Sequence, residues 1–543
     1  MNKARVIIKV ALATTGWVWC SPLTAQDKGE DQHEPIVVTG RGLSDTPALT
    51  AYSTGEIGRA ALVSSGSGRI EDALASAAGF QQFRRSDSRS ANPSAQGATL
   101  RALGGNATSR ALVLLDGVPM VDPFFGYVPF SAIAPERLAS ARVTRGGGSG
   151  PFGAGALAGT IELTSADAAS LGPLSGRILV NGRGEMEAGA TLAGELGAGF
   201  GSVSGRWDRG EGFFTTPPEQ RVAATARAAY ESWSAQVRAV APLTDAIELQ
   251  VRGLVYDDHR TLRFAGADSS SEGQDASIRL VGRGKWQFDL IGYVQARNFT
   301  NVVVSATRFV PTLDQRNTPS TGIGGKFELR PPTGTHNVLR LGIDYRWASG
   351  ELFENALNVA TGAVSARRNA GGTNTDLGLF VENDLTLGAV TITGGARGDR
   401  YEIRDGFFVE RNAAGEVTVD KRFADRSGWE GSLRGGALVR LGAGLRLRAT
   451  AYTALRLPTL NELYRPFVVV PITTQANAAL GNERLEGFEA GLDFVPSDTL
   501  ALALTGFDNR VKDAIANVTI GTNLRQRRNI DSIRARGVEG SAK

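Results

Sequence analysis

The chain of 543 residues holds one cysteine, Cys20, three methionines and three histidines. A lone cysteine supports no disulfide framework. His33, His259 and His336 stand beside no serine-bearing motif of the kind a hydrolase needs. Beyond residue 25 no run of 18 or more apolar residues occurs, which excludes transmembrane helices. The net charge of +4 is too small to point to nucleic acid. Lysine is scarce as well, 8 of the 59 cations, so 51 are arginine. Glycine is what the chain has in excess: 68 residues, nearly twice the usual ~7%.

Residues 1–25 read as a secretory signal. Lys3, Arg5 and Lys9 supply the positive end, residues 6–19 the apolar core, and Leu23-Thr24-Ala25 a cleavage site. Cys20 falls inside it, so the mature chain has no thiol chemistry. Residues 26–34 are polar and predict no packed structure. Ile36, Val37, Val38 and Thr39 then form a short β-branched run. Such a run either pairs as an added strand on a partner's sheet or serves as a first strand of the domain.

Residues 67–79 predict a helix, with Ser67 as cap, Glu71 and Asp72 in the first turn, and Ile70, Ala73, Leu74 and Ala77 on one face. A polar loop with several arginines follows at 81–94. Residues 111–115 read as a buried strand and Asp116-Gly117 as a turn. An aromatic loop at 120–130 carries Phe124, Phe125, Tyr127 and Phe130. Residues 135–138 predict one helical turn, and 141–144 a strand. Next comes RVTRGGGSGPFGAGALAGTIEL, residues 142–163. Gly153, Gly155 and Gly159 loosely match a dinucleotide-binding pattern, but no helix opens there and no Gly-Lys-Ser/Thr follows. Tight turns and close backbone packing explain these glycines better. Residues 41–165 thus read as a small α/β domain.

From about residue 175 the pattern changes to long alternating segments. In 336–348, Leu339, Leu341, Ile343, Tyr345 and Trp347 share one face, while Val338, Arg340, Gly342, Asp344 and Arg346 share the other. Residues 444–455 alternate similarly. These segments exceed the ~5–6 residues of a typical strand and suffice for the ~9–11 tilted residues that cross a bilayer. Charges on one face then point into a lumen, because a midplane arginine facing lipid costs roughly 2–4 kcal/mol. Tyr345 and Trp347 fit an aromatic girdle at a strand end. Short connections alternate with long ones, as periplasmic turns alternate with outer loops. The fold class expected is a transmembrane antiparallel β-barrel over 170–543, with an α/β plug in its lumen.

Signal, apolar arm, small plug and large barrel together resemble a TonB-dependent outer-membrane receptor. LRALGGNATSRALVLLDGVPMVDP (100–123) resembles the family's plug core and the block at 142–163 its plug end. LRLPTLNELYRPF (455–467), followed by 477–486, resembles a late barrel strand and outer loop. Arg101-Ala102 departs from the family's usual Arg-Gly, and 477–483 from its usual barrel motif. The family barrel has 22 strands. About 17 are counted here, so the chain is expected to be C-terminally truncated, since a closed bacterial barrel needs an even number.

The resemblance implies active uptake of a scarce nutrient, most often a ferric siderophore, by a monomer in outer-membrane lipid and lipopolysaccharide. TonB, with ExbB and ExbD, is the implied partner. The TonB box would be Ile36, Val37, Val38 and Thr39, within an arm at 26–40. Two plug loops are the candidate face for a metal-chelate ligand: Phe83, Arg84, Arg85 and Arg89 in one, Phe124, Phe125 and Tyr127 in the other. Aromatics give rigid contact area, and arginines pair with anionic or catecholate oxygens. Those arginines could equally bridge plug to wall. Arg101 and Arg145 are assigned to plug–barrel ion pairing. A cobalamin cargo is the alternative. Haem falls back, because no histidine lies between Arg456 and Glu483. An outer-membrane hydrolase is disfavoured because no histidine stands beside a serine-bearing motif, and a passive porin because the plug would block the lumen. No catalytic residue, cofactor or metal site is expected.

Overall fold

The computed structural model of the protein describes residues 38–542, apart from 85, 105–107, 470 and 498. The signal, the arm up to Ile36 and Val37, and Arg85 lie outside the described residues.

The plug is a five-stranded sheet. Its strands are β1 (Ser53–Gly58), β4 (Ala111–Leu115), β5 (Val118–Pro119), β6 (Leu138–Arg145) and β7 (Gly159–Ser165), in the order β1-β6-β7-β4-β5. A separate pair, β2 (Phe80–Gln82) and β3 (Ala98–Leu100), lies beside it. All five residues of β4 are buried, as its continuous apolar run requires. It pairs parallel to β7 and turns into β5 through Asp116 and Gly117, both at positive φ, the turn geometry that suits a twisted hairpin. Ser165 donates to the Asp116 carboxylate through both its backbone N–H and its hydroxyl, and Arg252 of the wall approaches to 3.2 Å. Burial alone would raise the pKa of Asp116. The nearby Arg238 and Arg252 guanidiniums outweigh that and hold it below the usual carboxylate range.

The helix predicted over 67–79 is shorter. Only Ile70–Leu74 is helical, and Arg69 rather than Ser67 occupies the cap position. Glu71 is drawn inward to accept the backbone N–H of Ser88, so the segment is held by its loop rather than by a long amphipathic face.

From Leu174 onward twenty strand segments build one barrel sheet. Four short ones among the described residues, Pro311–Asn317, Val417–Arg422, Phe467–Val469 and Ile472–Gln475, lie in connections. The other sixteen form the wall, against about 17 expected from alternation. Ladders pair Leu174–Val180 with Met186–Leu196. They pair Leu524–Ala542 with Leu500–Gly521 and, parallel over three residues, with Ile472–Gln475. The ring order places Leu524–Ala542 beside Leu174–Val180.

Burial is inverted relative to a water-soluble protein. Leu433, Trp429, Leu504 and Ile278 are more than half exposed, while Arg238, Arg252, Arg260 and Arg297 are buried. The polar face therefore looks inward onto the plug and the apolar face outward onto lipid. Strands such as Asn337–Leu357 and Val364–Leu387 are twice the length a bilayer needs. Tyr345 and Trp347 therefore lie midway along a strand rather than at its end, because pairing continues beyond them toward the outer loops.

Plug and wall share one core. Leu62, Ile70, Leu100, Val113, Phe130 and Ile161 of the plug pack in the same cluster as Leu254, Tyr256, Tyr452, Leu485 and Val511 of the barrel.

Candidate ligand and coupling site

Short connections, such as the turn between Leu385–Leu387 and Val390–Ile392, mark the periplasmic end, and long ones the outer end. At the periplasmic end Thr39 lies against the inner face of the wall. The backbone N–H of Thr39 donates to Glu248 at 3.0 Å, and Arg283 donates to the Thr39 hydroxyl at 3.0 Å. Val38 and Thr39 are both half-buried.

Midway, arginine ion pairs join plug to wall. Arg101 lies 2.6 Å from Glu489 and 3.0 Å from Glu539, on two different barrel strands, and also donates to the Tyr452 hydroxyl. Arg145 stands 3.8 Å from the same Glu539 and donates to the carbonyls of Ser53 and Ala78. Arg110, which sequence reasoning passed over, reaches Glu483, and Arg456 of the wall shares that carboxylate. Such pairs satisfy charges that would be costly to bury singly.

The glycine block is held by its backbone. Arg346 donates to the carbonyls of Phe152 and Ala154, Arg397 to that of Gly150, and Arg434 to that of Gly147. Ser149 and Gly155 donate their N–H groups to Thr453 and Leu455 of the wall. A side chain at Gly153 would meet Arg397 and Asp344 at 2.9 Å, so its absence lets the wall grip the loop.

At the outer end the aromatic plug loop is covered. Phe124, Phe125 and Tyr127 are at most 3% exposed. They pack with Phe299, Leu352 and Tyr464. Phe125 meets Phe299 edge-on at 5.1 Å, and the Tyr127 hydroxyl pairs with Ser271 at 2.7 Å. These three residues, expected at the ligand face, thus present no outward surface in this state. Their cover is a helix, Leu460–Tyr464, whose Asn461 N–H donates to the Phe124 carbonyl at 3.0 Å. Asp122 fixes the loop beneath by accepting the N–H groups of Phe124 and Phe125. Burial pushes its carboxyl up to about 6, although those two donors and Arg297 act the other way.

Above this loop, Arg465 lies 5.8 Å from the Phe125 ring and 6.0 Å from that of Phe467, and Arg527 lies 5.3 Å from the latter. One guanidinium nitrogen of Arg465 is buried without a hydrogen-bond partner, while another lies 3.3 Å from Glu354, and Arg527 donates to the carbonyls of Asn461 and Arg465. This arginine–aromatic cluster is the main element missed in the sequence. Its one legible signal was Thr459-x-x-Glu462, a capping box that predicts a helix start inside an outer loop.

The other plug loop is separate. Phe83 is 40% exposed, with the Arg84 guanidinium 5.2 Å from its ring. Arg89 clamps Asp87 rather than facing outward. Among the described residues no hydrogen bond, ion pair or ring contact joins this loop to Phe124, Phe125 or Tyr127.

An apolar-coated barrel whose lumen is filled by an ion-paired α/β plug is the architecture of a gated outer-membrane receptor. The chain belongs to the TonB-dependent receptor family. Residues 188–543 match its family model "TonB dependent receptor-like, beta-barrel", and residues 46–160 match "TonB-dependent Receptor Plug Domain". Sequence comparison with curated proteins gives no match. Among solved structures it resembles the ferric yersiniabactin uptake receptor FyuA from Yersinia pestis, with TM-score 0.70, 15% identity, and coverage of 91% of this chain and 76% of that one. It is similar to the siderophore receptor PirA from Acinetobacter baumannii, with TM-score 0.70, 14% identity, and coverage of 93% and 79%. The copper transporter OprC gives TM-score 0.68, 18% identity, and coverage of 94% and 77%. At these identities the likeness is one of fold.

Proposed function

We propose that the protein takes up a ferric siderophore across the outer membrane, driven by TonB with ExbB and ExbD. The observation that carries the cargo is the cluster of Arg465 and Arg527 with Phe125 and Phe467 at the outer end of the plug, where Arg465 keeps one buried guanidinium nitrogen without a partner. Once the cover lifts, these guanidiniums suit an anionic, oxygen-rich chelate, and the rings suit its flat groups. For such a ligand to reach Phe124, Phe125 and Tyr127, the helix Leu460–Tyr464 must lift. Phe83 and Arg84 are the plug residues free to meet it first. Arg84, and by the same reading Arg85, would draw in its charge, while Arg89, engaged with Asp87, would hold the loop in shape. Ile36, Val37, Val38 and Thr39 are the segment we assign to strand addition by TonB. Release of Thr39 from Glu248 and Arg283 would make that segment available.

Growth on ferric siderophores as sole iron sources tests this. Deleting residues 36–39 is expected to abolish growth, as it would not for a porin or a hydrolase. Replacing Arg465 and Arg527 with alanine is expected to weaken binding of the same chelate. Growth that survives the deletion overturns the reading.

A further inference from the structure

Two cavities lie between the plug and one sector of the wall. The first, about 400 Å³, is lined by arm residues such as Arg41 and by Arg279, Arg283 and Asp289 near short turns, so it faces the periplasmic end. The second, about 180 Å³, is lined by Asp122, Gln295, Gly322, Asp376 and Thr459 and lies toward the outer end, beneath the aromatic loop. They abut: Pro119, Tyr293 and Arg346 line both. Of these three, Arg346 is the charged one. Its guanidinium is the clasp on Phe152 and Ala154, so it spans the space from the wall to the glycine block. Asp376, in the outer cavity, is buried with both carboxylate oxygens lacking a hydrogen-bond partner. A carboxylate lining this cavity gives a path for water or polar cargo a hydrophilic surface.

We infer that cargo crosses along this seam, between the plug and the strands Gln287–Val304, Ser320–Arg330 and Asn337–Leu357, and that Arg346 is the gate between its two halves. This rests on the uptake reading above. In the closed state the clasp holds residues 152–154 against the wall. Withdrawal of the arm residues from the lower cavity and release of the two carbonyls would join the cavities without unfolding the central sheet. Arg434 grips the same loop at Gly147 yet lines neither cavity, which makes it the natural control.

The test uses the full chain in proteoliposomes and needs neither TonB nor siderophore, so its outcome is separable from failure of the uptake reading. The probes are arabinose and sucrose, followed by vesicle swelling. Arg346→Met is expected to admit arabinose at least about tenfold faster than the parent chain, while Arg434→Met stays at the parent rate. Adding Gly322→Leu to Arg346→Met is expected to restore the parent rate. A side chain there would project to within 3.2 Å of Gln295 and Pro123, into the outer cavity. Heat-modifiable gel mobility confirms an inserted barrel in each case. Should Arg346→Met not insert, Arg346→Gln carries the same comparison. A folded Arg346 variant with the parent's leak, an equal leak in Arg434→Met, or a leak that Gly322→Leu leaves open overturns the proposal.

Discussion

Arg101 in the plug and Glu489 in the barrel wall lie 2.6 Å apart with neither side chain reaching solvent. Glu489 also accepts the Ser53 N–H, and Arg101 also holds Glu539, so one contact ties the first plug strand, the plug core and two wall strands together.

Removing both partners is therefore expected to cost less than the two single losses added together. Arg101→Met leaves two buried carboxylates short of a cation, a loss of about 3–5 kcal/mol. Glu489→Leu leaves Arg101 still paired with Glu539 and is expected to cost less. Combining them should give less than the sum of the two. Resistance of the plug to protease across a urea series measures all three; strict additivity would mean the pair is not coupled.

A pH dependence follows from Asp122. Its folded pKa of about 6 stands above the ordinary 3.8, so the folded plug binds the extra proton. The sign is that of a raised acid: the stabilisation is complete below about pH 4 and is lost as pH rises through about 6. The urea concentration at which the plug becomes protease-sensitive is expected to fall across that window. Asp122→Asn should flatten the profile, and a plug that grows more resistant with rising pH would contradict it.

Much of this was legible beforehand because period-two alternation survives in the chain whatever it pairs with. In 336–348 it assigned Arg340, Asp344 and Arg346 to the lumen, where all three lie against partners. It could not supply those partners, since Arg346 meets carbonyls about two hundred residues away. Phe124, Phe125 and Tyr127 were identifiable as a special loop but not as a covered one. Their cover is a five-residue helix, too short to show periodicity. The helix at 67–79 failed for the opposite reason: its apolar spacing was real, but the tertiary contact of Glu71 with the loop after it ended the helix early.

The short cover helix has its own test. Thr459 accepts the Glu462 N–H while Glu462 accepts that of Thr459, and Arg456 holds the Glu462 carboxylate at 3.0 Å. Thr459→Ala is expected to cost about 1 kcal/mol of local stability. Amides of residues 461–464 should exchange roughly fivefold faster, with the wall strands unchanged. If chelate access requires the helix to lift, the same change should raise the rate at which a ferric siderophore binds. An unchanged on-rate alongside faster exchange would separate helix opening from ligand entry.

Gly159 distinguishes backbone tolerance from packing. It opens β7 and pairs with Arg145 on one side and Ala111 on the other, at the centre of the plug sheet. Its φ of +132° is rarely open to other residues, and an added Cβ would meet the Thr144 carbonyl at 2.1 Å and Leu100 at 2.9 Å. Gly172, between plug and barrel, also has positive φ, but an added Cβ there meets nothing within 4 Å. Gly172→Ala should thus cost only the backbone term, about 1–3 kcal/mol. Gly159→Ala must in addition push β6 from β7, and is expected to cost clearly more and to loosen the adjoining β4. Hydrogen exchange of the β4 amides reads the difference directly: protection should fall in Gly159→Ala and hold in Gly172→Ala. Equal protection in the two would mean that the sheet centre yields more readily than its contacts imply.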